Sequence, residues 1–167
     1  MDQIIRFLTL FSILLTLFSC NKVQEKTELD IIQNEATEKT LILNTLNNET
    51  KSAFDRDYNK WTTYWLHNPD VVKTYMNFVD NSYSETIGWE DVSRFVKTFI
   101  EEHPDPEPAP ELLDDINVRL YSKGAWVTYA QMDSIRGLKR ETRLMEKING
   151  NWKIAGMHTS IYGFKEN

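Results

Sequence analysis

Glu146-Lys147-Ile148-Asn149-Gly150-Asn151-Trp152-Lys153-Ile154 is the stretch that decides the fold. Asn-Gly between two apolar-alternating runs is the strongest short-range signal for a two-residue hairpin turn. Such a turn fixes the register: Ile148 faces Asn151, Glu146 faces Lys153, Arg143 faces Gly156 and Glu141 faces His158. The opposite charges of Glu146 and Lys153 support that pairing. Upstream, Lys123-Gly124 reads as a second two-residue turn, setting Val118 against Tyr129 and Leu120 against Val127. A five-residue loop over Asp133–Gly137 sets Tyr129 against Glu141 and Val127 against Arg143. Four strands, at about 115–121, 125–132, 138–148 and 151–162, then form an antiparallel meander.

Propagating these pairs predicts two faces. One holds Ile116, Val118, Leu120, Val127, Met145 and Ile154, and with them Tyr129, Gln131, Glu141, Arg143, Gly156 and His158. It is the more apolar face and is expected against helices. The other holds Trp126, Leu144, Ala155, Met157 and Thr159 among polar residues. A register slip of one would exchange the faces.

Before the meander the period changes. Residues from about 35 to 54 repeat apolar side chains at three- and four-residue spacing (Leu43, Leu46, Thr50, Ala53/Phe54), which predicts a helix. Asp57 can N-cap a second, short helix to Trp65 that carries Tyr58, Trp61 and Trp65 on one face. Asn68-Pro69-Asp70 is a turn, Val71–Val79 a strand and Asn81–Gly88 a polar loop. A third helix runs from Trp89 to Ile100, with Val92, Phe95, Val96 and Phe99 as its apolar stripe. Residues 103–111 hold four of the chain's five prolines at alternating positions, which forbids helix and ladder pairing and predicts an extended acidic connector. The expected fold class is α+β: a curved antiparallel sheet packed on three N-terminal helices.

At this point a resemblance enters. Glu49-Thr50-Lys51-Ser52-Ala53-Phe54-Asp55-Arg56-Asp57-Tyr58-Asn59-Lys60-Trp61 resembles the helix–break–helix opening of the nuclear-transport-factor-2-like superfamily. Gly88-Trp89-Glu90-Asp91-Val92 is similar to the start of its third helix, and residues 146–154 with His158-Thr159-Ser160 to its closing hairpin. The likeness covers about residues 35–163. It implies a cone-shaped, cystatin-like roll with a pocket between helices and concave sheet. The superfamily includes ketosteroid isomerases, polyketide cyclases, dehydratases and non-catalytic binding domains, so the fold does not choose a function.

The N-terminus reads as a targeting segment. Arg6 precedes Phe7–Phe18, an uncharged run of 12 residues. That is too short for a bilayer core, which needs roughly 20 residues, and suits a signal peptide. The run ends in Leu17-Phe18-Ser19-Cys20, which resembles a lipobox although Phe18 is larger than usual there. Cys20 is the only cysteine, in a chain addressed to an oxidising compartment. Residues 1–19 are therefore expected to be cleaved, Cys20 to carry lipid in a bacterial membrane, 20–34 to form a polar tether and 35–167 the domain. Loss of 1–19 removes Arg6 and Asp2 together, so the formal charge stays at −6. An acidic chain without a Lys/Arg cluster excludes nucleic acid as the expected partner.

Three functions compete on this reading. The first is a binding module for a small apolar or aromatic molecule, with Trp61, Trp65, Tyr75 and Trp89 at the mouth and Tyr129, Gln131, Glu141, Arg143 and His158 inside. The second is an enzyme with Glu141 or His158 as general base. The third is an interaction protein, a homodimer through Trp126, Leu144 and Met157 on the outer face. No cofactor is expected: the sequence has no P-loop, no dinucleotide glycine fingerprint and no zinc spacing.

Overall fold

The Asn149-Gly150 turn forms as its residues require. Both take positive φ, 50° and 81°, which suits the twist of paired strands and which few other residue pairs adopt cheaply. The computed structural model describes residues 31–164; the signal segment, Cys20 and residues 20–30 of the tether lie outside them. The described residues divide between 38 and 39 into two units. Helix α1 covers residues 31–54, so residues 31–34, expected in the tether, are helical. All contacts below are made from residue 39 onward.

After α1 come α2 (Tyr58–Thr62), β1 (Val72–Asn77), β2 (Ser82–Ile87), α3 (Trp89–Glu102), β3 (Asn117–Leu120), β4 (Gly124–Asp133), β5 (Gly137–Ile148) and β6 (Asn151–Gly163). The strands form one curved, open sheet in the order β2-β1-β6-β5-β4-β3. All neighbours are antiparallel except β1 and β6, which run parallel. Residues 103–111 are extended coil, as the prolines dictate. The core gathers Ile42 and Leu46 of α1, Trp61 of α2, Val92 and Val96 of α3, and Val127, Met145 and Ile154 of the sheet.

Three local readings are corrected. Asn81–Gly88 is not a loop: residues 82–87 are an edge strand, paired with β1 from Val72↔Ile87 to Asn77↔Ser82. Its residues are nearly all exposed, so no apolar alternation marks it. Helix α2 stops at Thr62, short of Trp65, after Asp57 caps it by accepting from the Lys60 amide. Backbone bonds from Leu66 to the Ile154 carbonyl and from Ile154 to the Tyr64 carbonyl draw the chain onto β6 instead. Third, the β3–β4 turn is Ser122-Lys123, with the Tyr121 amide bonded to the Gly124 carbonyl. Val118 therefore pairs with Val127 and Leu120 with Ala125. That slip of two residues leaves the faces unchanged, because side chains alternate with period two.

The β4–β5 register is as expected, with Tyr129↔Glu141 and Val127↔Arg143. The β5–β6 register holds only near the turn. Ile148↔Asn151 through Met145↔Ile154 pair as expected; then a bulge intervenes, and Leu144 pairs with Gly156. Ala155 is the extra residue. Burial parity changes there: Trp152 and Ile154 are buried before it, Met157, Thr159 and Ile161 after it. Beyond Ala155 every side chain of β6 sits on the face opposite to the one expected.

Candidate functional site

Helices and concave sheet enclose a cavity of about 340 Å³. That lies within the roughly 300–1,000 Å³ of small-molecule pockets. Its walls come from all three helices and from β1, β2, β4, β5 and β6, and include Phe54, Phe99 and Ile100 as apolar surface beside Lys73, Glu141 and Arg143.

The polar residues are held by alternation. On β5, Lys139, Glu141, Arg143 and Met145 point inward from successive odd positions and are buried. Arg143 is the hub. Its Nε donates to the Tyr129 hydroxyl at 3.2 Å. Its Nη2 lies 3.2 Å from Glu141 Oε2 and its Nη1 3.9 Å from Glu49 Oε2. Glu141 Oε2 also accepts from the Thr159 hydroxyl at 2.8 Å, and Glu49 Oε1 accepts from both indoles, Trp61 at 2.7 Å and Trp65 at 3.0 Å. Arg143 Nη1 is buried without a hydrogen-bond acceptor among the described residues. Burial opposes the Arg143 charge, but Tyr129, Glu141 and Glu49 outweigh it and hold its pKa above the ordinary value. Burial, reinforced by Glu141, pushes the Tyr75 hydroxyl above its usual range. Burial likewise raises that of Tyr129, so both phenols stay neutral.

Lys73 of β1 completes the set. It is 5 % exposed, and its ammonium lies 3.7 Å from the Tyr75 ring centroid and 5.0 Å from that of Phe95. Burial pulls its pKa down to about 7, with Glu49 opposing and Arg143 adding to the fall. At the rim, Glu107 of the proline connector is clasped between Arg56, at 2.8 Å, and Arg136, at 3.2 Å. The connector is thus pinned rather than wholly solvated: the His103 carbonyl also accepts from Arg56 Nε, and the Glu107 amide donates to the Phe54 carbonyl.

Of the residues singled out from the sequence, Trp61, Tyr75, Gln131, Glu141 and Arg143 line the cavity together. Gln131 donates to the Glu111 carbonyl at 2.9 Å. Tyr129 stands beside them as a buried partner of Arg143. Trp65 is buried in the core and does not line the cavity; it reaches the network only through Glu49. Trp89 is stacked between Trp61 and His67, with centroids 5.8 and 3.9 Å away, and is likewise not a wall residue. His158 is a correction. It pairs with Thr142, not Glu141, and lies on the outer face, 3.2 Å from the Ser160 hydroxyl. Met157, expected on the outer face, is buried and lines the cavity.

Two members went unread. Lys73 shares its face with Tyr75 by simple alternation, and that spacing was the available signal. Glu49 lies three residues after Leu46, on the buried stripe of α1, where a carboxylate invites the question of its partners.

A family model described as a SnoaL-like domain matches residues 42–163. The chain belongs to the SnoaL-like domain family. Solved structures of the same fold agree. A nuclear-transport-factor-2-like superfamily protein from Salmonella enterica is 17% identical, with a TM-score of 0.58, over 80% of this chain and 95% of its own. A cystatin-like fold protein from Burkholderia xenovorans is 15% identical, with a TM-score of 0.57, over 75% and 92%. A nuclear-transport-factor-2-like protein with a cystatin-like fold from Novosphingobium aromaticivorans is 12% identical, with a TM-score of 0.57, over 81% and 89%. At such identities the likeness is one of fold. No curated protein matches the chain. The SnoaL-like domain here carries the superfamily's roll, with a buried charged network at the cavity wall.

Proposed function

We propose that this SnoaL-like domain binds a small molecule with an apolar or aromatic body and a polar group, and that Cys20 anchors it to a bacterial membrane. The observation that carries the binding reading is the cavity itself: apolar walls with Lys73, Glu141 and Arg143 converging on one side. A buried charge network costs desolvation, and hydrophobic replacements of such networks are often no less stable. Its position on a cavity wall is what ligand recognition would use. A general-base role for His158 is not supported, since it stands on the outer face.

The test is native mass spectrometry of the protein purified from its own host, with an Ala53→Phe variant that narrows the cavity. A bound mass that dissociates from the wild type and is absent from a cooperatively folded Ala53→Phe is the expected result. Ligand-free wild type, with no thermal upshift across a set of aromatic and aliphatic fragments, would overturn it. The anchor reading rests on Leu17-Phe18-Ser19-Cys20. Cys20→Ser should release the domain from membranes or block its processing; unchanged membrane partition would reject it.

Self-association is a second proposal, favoured by one feature. Trp126 and Leu144 are direct cross-strand partners on the outer face, and are 50% and 44% exposed. Met157 no longer contributes to that patch. Sedimentation at tens of micromolar, roughly where weak dimers persist, should show a dimer that Trp126→Glu abolishes; a monomer in the wild type would end the idea.

A further inference from the structure

Lys73 is out of place as a structural lysine. Buried lysines normally end on a carboxylate. Among the described residues no carboxylate lies within ion-pair distance of Lys73 Nζ, although Glu49 and Glu141 serve Arg143 and two tryptophans nearby. Its neighbours are aromatic instead: Tyr75 on its own strand and Phe95 of α3. The adjacent strands place Thr86 and Met157 beside it in register. The charged groups that act on it are Glu49 from α1 and Glu141 and Arg143 from β5. Lys73 itself lines the cavity, so a molecule lodged there meets the amine.

We propose that Lys73 is a carbonyl-capturing amine, and that the cavity takes an aldehyde or ketone with an aromatic or apolar body and holds it as an imine. This rests on the reading that the cavity holds a small molecule, and it names the class. The nitrogen lone pair attacks the carbonyl carbon and a C–N bond forms. The carbonyl oxygen takes up the two amine protons in turn and leaves as water when the C–O bond breaks. Amine and carbonyl give imine and water, with no other reactant. Burial also disfavours the ammonium, so a substantial part of Lys73 is unprotonated near neutral pH, as the nucleophile must be. The apolar walls exclude the water that would hydrolyse the product.

The experiment uses the full-length chain with benzaldehyde and cyanoborohydride at about pH 7.5, where ordinary lysines are almost wholly charged. Benzylated lysines are mapped by peptide mass spectrometry. Binding of benzyl alcohol, which has the same ring and no carbonyl, is followed in parallel by thermal shift. Lys73 should be labelled at least about tenfold faster than any other lysine. That preference should shrink as pH approaches about 10 and exposed lysines deprotonate. Lys73→Met should lose the adduct and keep benzyl alcohol binding, and the wild-type map stands whether or not the variant folds. Benzyl alcohol binding with Lys73 labelled no faster than the exposed lysines overturns the imine and leaves the pocket. Neither binding nor labelling overturns both.

Discussion

The two halves of the β5–β6 ladder make an instructive pair. From Ile148↔Asn151 to Met145↔Ile154 the hairpin obeys its turn, and Trp152 and Ile154 enter the core. From Leu144↔Gly156 onward it obeys the bulge, and Met157, Thr159 and Ile161 face the cavity. The first half does not line the cavity. The second meets Glu141 and, across β1, Lys73 and Tyr75. The difference teaches that turn chemistry fixes register only as far as the first irregularity, and that one extra residue decides which side chains reach the site.

Inserting one alanine between Gly156 and Met157 attacks the comparison most directly. The inserted residue would take the place opposite Arg143, and should carry His158 inward and Met157 and Thr159 outward, taking the Thr159 hydroxyl from Glu141. We expect a loss of roughly 5 kcal/mol or more, comparable with the whole stability of many domains. Circular dichroism and urea titration would read it; an insertion variant as stable as the wild type would mean that the register beyond the bulge does not set the faces.

Arg143→Ala comes next. It removes the cation shared by Glu49 and Glu141 and should cost about 3–5 kcal/mol in denaturant unfolding, the usual cost of breaking a buried pair. A small loss of stability, paired with a large loss of ligand affinity, would instead make the network an instrument of binding alone.

Lys73 sharpens the comparison through pH. Its folded-state pKa of about 7 lies below the unfolded value near 10.5, so between those values the unfolded chain binds more protons. Stability from this group therefore rises with pH across that window, and the penalty is fully present below pH 7. Lys73→Met should gain stability, by on the order of a few kcal/mol at pH 6, with the gain fading towards pH 10. Thermal melts at the two pH values test it; a pH-independent difference would count against the burial argument.

The smallest effects separate neighbours on one strand. Thr159→Val removes a buried hydrogen bond to Glu141 and should cost about 1–2 kcal/mol. His158→Ala, on the outer face, should stay within about 0.5 kcal/mol and leave cavity binding alone. Equal costs in urea titrations would erase the distinction between the faces.

Much of this molecule was legible. Asn149-Gly150 gave the hairpin, the 103–111 prolines gave the connector, and alternation along β4 and β5 placed Tyr129, Gln131, Glu141 and Arg143 on one buried face. What escaped had no local signature. The β2 strand is an exposed edge whose pairing satisfies backbone rather than burying side chains. The Ala155 bulge lies between residues apolar enough to suit either face. Trp65 left its helix because the bonds of Tyr64 and Leu66 to Ile154 are made across 88 to 90 residues of chain, which no window of sequence contains.

Glu49 has an optical consequence. Its Oε1 accepts from two of the chain's five indoles, while its Oε2 approaches Arg143. The excited state of indole is sensitive to charge at the ring nitrogen, and here that charge is shared with the cavity wall. A molecule that lodges beside Arg143 as proposed should therefore shift the emission of Trp61 and Trp65, and a titration could be followed in the light the protein already emits.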